Sequence, residues 1–242
     1  TALPEQVADD VVSSAFRSAG QRCSALRLLF VQEDVADRMI GMIVGASREL
    51  QLGDPRDPAT HVGPVIDGQA KAALEAHIAL MRRTAKREWY PGGAPPSQHG
   101  GMNLLLQPHV FELDAFELDR PVALDKEVFG PILHVIRYKA HELDSVLQAI
   151  ENSGYGLTLG VHSRIDETVQ RIAARLAIGN VYINRNMIGA VVGVQPFGGH
   201  GLSGTGPKAG GPHYLLRFAA EQTVTINTAA QGGDAELLLL SD

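Results

Sequence analysis

ILHVIRYKAHELDSVLQAIENSGYGLTLGVHSRIDETVQRIAARLAIGNVYI, residues 132–183, is the stretch that decides the fold. Its strand-like segments, Ile132 to Tyr138, Leu157 to His162 and Gly179 to Ile183, are short apolar runs of the kind that buried strands use. Between them, Glu142 to Asn152 and Asp166 to Leu176 read as helices. Strand, helix, strand, helix, strand is the pattern of right-handed crossovers. The expected class is α/β, an open, mostly parallel twisted sheet with flanking helices.

Upstream of that stretch, Leu104 to Val110 reads as a further strand and the Pro/Gly/Ser-rich segment from Pro91 to Gly101 as a surface loop. Gln69 to Arg83 is an expected helix with Ala70, Leu74, Ile78 and Met81 on one face, and Gly53 to Pro58 is loop. Val35 to Leu50 is another helix, and Leu26 to Val31 is an apolar burst short enough for a buried strand. From Pro4 to about Arg17, Val7, Val11, Val12 and Phe16 share one side of a helix, with Pro4 early, where its missing N–H costs least. Downstream of Asn184 the chain is glycine-rich loop through Pro212, then a short helix, then the β-prone Thr223 to Asn227. That terminal strand has no obvious partner nearby, so another subunit or a further segment is expected to cover its edge.

The chain has 242 residues, 45% of them hydrophobic, enough to bury the core of one large domain or of one domain with a small appendage. Its 21 basic and 27 acidic residues give a net charge of −6, with no Lys/Arg run dense enough to track a phosphate backbone. Nucleic acid is therefore not expected as a partner. Leu28 to Val31 and Leu237 to Leu240 fall far short of the ~20 apolar residues that span a bilayer. The start shows no signal peptide, and beginning without Met suggests an excised piece. The one cysteine rules out an internal disulfide and any multi-cysteine zinc site, and a reducing, cytoplasmic setting fits best.

That cysteine lies in Gln21-Arg22-Cys23-Ser24, in a helix-to-strand connection among the small residues Ala19, Gly20, Ser24 and Ala25. A lone cysteine is commonly a small buried hydrophobe. A loop position beside a guanidinium suits a thiolate nucleophile equally well. The nine histidines form no HExxH and no pair at metal spacing, so no metal ligand is assigned. A Cys–His hydrolase needs one of them beside Cys23 in space, which sequence spacing leaves open. Gly199, Gly201 and Gly204 match G-x-G-x-x-G, but Pro207, Gly210, Gly211 and Pro212 follow, so no helix N-terminus is available for a pyrophosphate. Glu127-Val128-Phe129-Gly130-Pro131 has two readings. Either it is a turn with Phe129 in the core, or Glu127 accepts hydrogen bonds from a sugar hydroxyl while Phe129 packs on a flat ring.

Taken in order, Gly20-Gln21-Arg22-Cys23, Glu127-Val128-Phe129-Gly130-Pro131, Tyr155-Gly156-Leu157 and Pro196-Phe197-Gly198-Gly199 resemble the motifs of the aldehyde dehydrogenase superfamily, essentially from end to end. Gly179 to Asn186, Gly189 to Gly199 and Ser203 to Pro212 are similar to the glutamate-semialdehyde (1-pyrroline-5-carboxylate) dehydrogenases, including those in bifunctional proline-utilising enzymes. The resemblance implies Cys23 as nucleophile, Glu127 and Phe129 as contacts to the NAD cofactor, and an amino-acid aldehyde as substrate. It further implies that Ser24 and the backbone amides of Gly189 and Ala190 hold the substrate's α-carboxylate, with Phe197 flanking its aliphatic chain. Ala190 stands where single-chain relatives often carry serine, and His200 departs from the usual residue after the paired glycines.

The expected domains are 1–212 as the catalytic unit and 213–242 as the C-terminal helix and oligomerisation strand or tail, the latter making a homo-oligomer. In this family the general-base glutamate, the oxyanion-hole asparagine and the Rossmann-like cofactor domain precede the cysteine, and no segment of the chain matches them. A fragment without turnover is the expectation. Oxidation of another semialdehyde, or an inert assembly domain of the same fold, are the alternatives.

Overall fold

The computed structural model describes residues 1–90, 92, 103–114, 126–227 and 230. Except for Gly92, the loop expected over Pro91 to Gly101 lies outside them. Helix α1 (Pro4–Phe16) begins with proline at its first turn and buries Val7, Ala8, Val11, Val12, Ala15 and Phe16. A turn over Arg17–Gly20 leads to β1 (Leu28–Gln32), and α2 (Glu33–Arg48) follows directly. Acidic Glu33 and Asp34 open α2 and Arg48 closes it, in the sense that the helix dipole favours. Helix α3 (Gly68–Thr84) is capped by the Asp67 carboxylate, which accepts from Ala70 N at 2.7 Å, and it buries Leu74, Ile78 and Met81. The remaining elements are β2 (Arg87–Tyr90), β3 (His109–Leu113), β4 (Ile132–Tyr138), α4 (Leu143–Asn152), β5 (Tyr155–Gly156), β6 (Thr158–Val161), α5 (Asp166–Arg175), β7 (Asn180–Ile183) and β8 (His200–Gly201).

The main sheet runs in the order β1-β4-β3-β2. Strand β4 is parallel to both neighbours, with Leu28 opposite His134 and His109 opposite Ile132, and only β2 is antiparallel. Ile132, Leu133, His134, Val135 and Ile136 are all buried, because a parallel strand is covered on both faces. The mostly parallel α/β class is thus realised, although the sheet is divided. Strands β6 and β7 pair in parallel with each other and make no ladder with β4 among the described residues. The reason is a second small core, in which Leu147, Val161, Ile172 and Leu176 draw α4 and α5 onto this pair. Helix α1 joins the two parts through polar groups: Met187 N donates to Ser14 Oγ at 3.1 Å, and His162 lies 3.7 Å from Asp10.

Three expectations need correction. The strand expected over Leu104 to Val110 begins later, at His109. Strand β2 was not anticipated, because Lys86, Arg87 and Glu88 mask it, and charges are what an edge strand carries. It is fixed there by Glu112 of β3, whose buried carboxylate accepts from Trp89 Nε1 (2.6 Å) and Arg137 Nε (2.9 Å) and lies 3.1 Å from Lys86. Burial pushes Glu112 upward, but these donors outweigh it and hold the carboxyl below its ordinary range. Lastly, Thr223 to Asn227 forms no strand, since a strand exists only by pairing and no described strand lies beside it; Val224 and Ile226 are exposed. The short helix before it is a single 3-10 turn, Leu215–Phe218, and residues 231–242 of the expected tail lie outside the described set.

His134, wholly buried in β4, makes the fold acid-sensitive. Its Nδ1–H donates to Arg27 O at 3.2 Å, so its Nε2 accepts from His77 Nε2–H at 2.9 Å. Burial, then the neighbouring His77, lowers its pKa to about 3. The unfolded chain takes up this proton below about pH 6.5 and the native chain does not, so stability falls with falling pH between those values. His134→Gln keeps a donor and does not titrate. Urea unfolding is expected to show wild type losing about 1 kcal/mol more than this variant between pH 6 and pH 5. Parallel slopes for the two proteins would contradict the assignment.

Candidate active site

Cys23 sits in a tight turn between α1 and β1, closed by Ala25 N donating to Arg22 O at 3.1 Å. Ser18, Ala19 and Gly20, just before it, all have left-handed backbone, with φ of 55, 52 and 63°. For the two residues with side chains this costs roughly 1–2 kcal/mol each, a strain typical of functional turns. The turn is held from outside by Gln21, whose side chain donates to Pro64 O (3.3 Å) and accepts from Ile66 N (2.8 Å). Cys23 is exposed, which removes the reading of a buried hydrophobe. No histidine hydrogen-bonds it among the described residues, so the Cys–His pairing of a hydrolase finds no support there.

Ser24, by contrast, is buried, 3% exposed. Its hydroxyl accepts from Gly189 N at 3.1 Å, and Gly189 O in turn accepts from Tyr182 Oη–H at 2.8 Å. Two residues singled out from the sequence, 165 positions apart, are therefore in direct contact. Ala190 follows Gly189 on the same half-buried loop, and beyond it Val191, Val192 and Val194 are exposed. Phe197 is placed separately, by an antiparallel bridge to Ala209. No hydrogen bond among the described residues joins it to the thiol turn. Asn180 at the start of β7 fixes this segment, with Nδ2 donating to Pro196 O at 3.0 Å and Oδ1 accepting from Gly198 N at 3.3 Å. Lys208 reaches Gly179 O. Gly201 lies in β8 and Gly199 and Gly204 flank it in irregular backbone, with no helix directly following them.

Phe129 is 43% exposed, so it is not a core residue, and the Glu127 side chain is 41% exposed. Both belong to the loop before β4, whose Gly130 lies directly against Gly20. Arg27 bridges the two loops. Its guanidinium donates to Gly20 O (2.6 Å), Arg22 O (3.1 Å), Gly130 O (3.2 Å) and Glu127 Oε1 (3.1 Å), and lies 4.9 Å from the centre of the Phe129 ring. Burial lowers its pKa, while the charges of Glu127 and Cys23 pull it up. The guanidinium that holds the thiol turn is thus Arg27, whereas Arg22 turns to Ser18 Oγ at 2.9 Å. Sequence reading passed over Arg27, although one charge interrupting the apolar run from Leu26 to Val31 was a usable signal. No cluster of metal-ligating residues occurs among the described residues, and none of their helices is long and apolar enough to cross a membrane.

Residues 2–224 match the family described as the aldehyde dehydrogenase family. The chain belongs to that family. It is 49% identical to the bifunctional protein PutA of Klebsiella aerogenes, over 98% of this chain and 18% of that protein. Among solved structures, a mutant of proline utilization A from Bradyrhizobium japonicum superposes with a TM-score of 0.85 at 68% identity, covering 96% of this chain and 23% of the other. A Thermus 1-pyrroline-5-carboxylate dehydrogenase with bound NAD gives 0.79 at 32% identity, covering 90% and 40%. The chain therefore spans under a quarter of the bifunctional proteins and two fifths of the Thermus enzyme. The relatives are thus bifunctional PutA proteins and 1-pyrroline-5-carboxylate dehydrogenases.

Proposed function

We propose that this chain supplies the thiol-bearing half of an NAD-linked enzyme that oxidises L-glutamate γ-semialdehyde to glutamate. The observation that carries the reading is the back-to-back placement of Cys23 and Ser24: an exposed thiol, and next to it a buried hydroxyl bonded to Gly189. Because Ser24 Oγ accepts from Gly189 N, its own hydrogen is left to donate to a substrate carboxylate. The Gly189 amide, expected to face the substrate, is instead taken by Ser24 Oγ, so the Ala190 amide is the loop's donor to that anchor, and Phe197 flanks the aliphatic chain between anchor and aldehyde.

Cys23 as thiolate attacks the aldehyde carbon, forming a C–S bond and a thiohemiacetal oxyanion. The Cys23 N–H, without a hydrogen-bond partner among the described residues, supports that oxyanion. NAD, when bound, supplies the acceptor for the hydride that leaves this carbon as the thioester forms. Water then adds to the thioester with loss of a proton to a general base, and the C–S bond breaks to return the Cys23 thiolate and release the acid. Glu127 and Phe129 fit the ribose and nicotinamide end of the cofactor: the carboxylate is exposed, its Oε2 has no partner among the described residues, and the ring is open to stacking. General base, adenine site and the second oxyanion donor are assigned to residues outside this chain, so the isolated chain is expected not to turn over. The cytoplasm is the proposed setting, because a nucleophilic thiol stays reduced there.

The test is a comparison of substrates in the intact enzyme. Efficiency with glutamate semialdehyde is expected to exceed that with propanal by at least about 100-fold, since hydrogen bonds to a charged group contribute about 1.5–3 kcal/mol each. Ser24→Ala should lower the former by about tenfold or more and leave propanal nearly unchanged. Equal efficiencies for the two aldehydes would remove the anchor.

A further inference from the structure

Arg27 draws more polar contacts than any other residue near the thiol, and none of the roles above uses them. Its side chain is only 17% exposed. Two of its acceptors, Gly20 O and Arg22 O, belong to the segment that enters the Cys23 turn. The other two, Gly130 O and Glu127 Oε1, belong to the loop proposed to meet the cofactor, and Phe129 of that loop covers the guanidinium face. The far end of the residue is fixed as well: Arg27 O accepts from both His134 N (3.1 Å) and His134 Nδ1 (3.2 Å). A planar fork of five N–H groups can serve two loops at once, whereas an ammonium has three donors and no plane. Glu127 gives Arg27 only one of its carboxylate oxygens, so the same side chain can be oriented by Arg27 and still accept from a ribose hydroxyl.

We propose that Arg27 is a positioning residue: by clamping the nucleophile turn to the Glu127–Gly130 loop, it sets the distance between the Cys23 sulfur and the cofactor's reactive end. This rests on the reading of Glu127 and Phe129 as cofactor contacts. Its first test does not require the cofactor. In the intact enzyme without NAD, Cys23 is alkylated with iodoacetamide at pH 7. Arg27→Met frees the turn that carries Cys23 from its bonds at Gly20 O and Arg22 O and is expected to change the alkylation rate about threefold or more. Glu127→Ala removes one of the clamp's four acceptors and is expected to change the rate in the same direction by a smaller factor, and because Glu127 is well exposed this variant folds even if Arg27→Met does not.

The second test is kinetic. Arg27→Lys is expected to raise KM for NAD and lower kcat, each by about tenfold, with the wild-type melting temperature measured alongside. Alkylation rates of both Arg27→Met and Glu127→Ala equal to wild type would overturn the clamp. A kcat that falls only with the folded fraction, at unchanged KM for NAD, would reduce Arg27 to a structural plug. Wild type that fails to oxidise glutamate semialdehyde would instead remove the functional reading, and the alkylation rates would then judge the clamp alone.

Discussion

Cys23→Ala is expected to abolish aldehyde oxidation in the intact enzyme, by at least about 10⁴-fold in kcat, while NAD binding and stability stay at wild-type levels. The size follows from the chemistry. Without sulfur no covalent adduct forms, and hydride would have to leave an aldehyde hydrate that the site is not built to hold. The clean separation from stability follows from the structure. Cys23 is exposed and makes no hydrogen bond among the described residues, so its removal should change stability by less than about 0.5 kcal/mol. Turnover, NAD titration and thermal melting on one preparation decide the matter. Residual turnover above a hundredth of wild type, or an equal loss from melting, would return Cys23 to a passive role.

The largest effect on stability is expected from Gly20→Ala. Gly20 has φ +63°, and an added Cβ would collide with the Gly130 carbonyl oxygen and lie 2.5 Å from its carbon. The left-handed backbone costs alanine about 1–2 kcal/mol. Parting two main-chain segments adds about 1–3 kcal/mol. For a chain of this length a loss of roughly 2–5 kcal/mol corresponds to a melting temperature lower by about 10 °C. Gly41→Ala is the control: Gly41 lies in α2 with nothing within 4 Å of a built Cβ, and alanine there should add about 0.5–1 kcal/mol. Gly20→Ala melting within about 2 °C of wild type would show that the two loops can part freely, and would weaken the clamp assigned to Arg27 as well.

Local features were the most legible in the sequence. Helices α1, α2 and α3 lie within a few residues of their expected spans, because an apolar stripe at helical spacing records its own burial; Val7, Val11, Val12 and Phe16 were foreseen and are buried. Strand β2 and the terminal stretch were misread for opposite reasons. Charges hid a strand that a neighbour stabilises, and β-propensity suggested one where no described neighbour exists. At the site, Cys23, Ser24, Gly189, Glu127 and Phe129 came from ordered motifs. The structure joins Ser24 to Gly189 directly and Glu127 to the thiol turn through Arg27.

Sequence by itself thus determined the α/β class, the family and the cysteine proposed to carry the chemistry, because motif order and short-range periodicity are properties of the chain. Only the tertiary structure decided that Cys23 faces outward while Ser24 is buried, that β6 and β7 close a second core, and that Gly20 and Gly130 touch. It also revealed Arg27 as the link between two loops. Arg27 and Glu127 stand 100 positions apart. The partners of a guanidinium are set by where β1 and β4 pair, and no local pattern of residues encodes that.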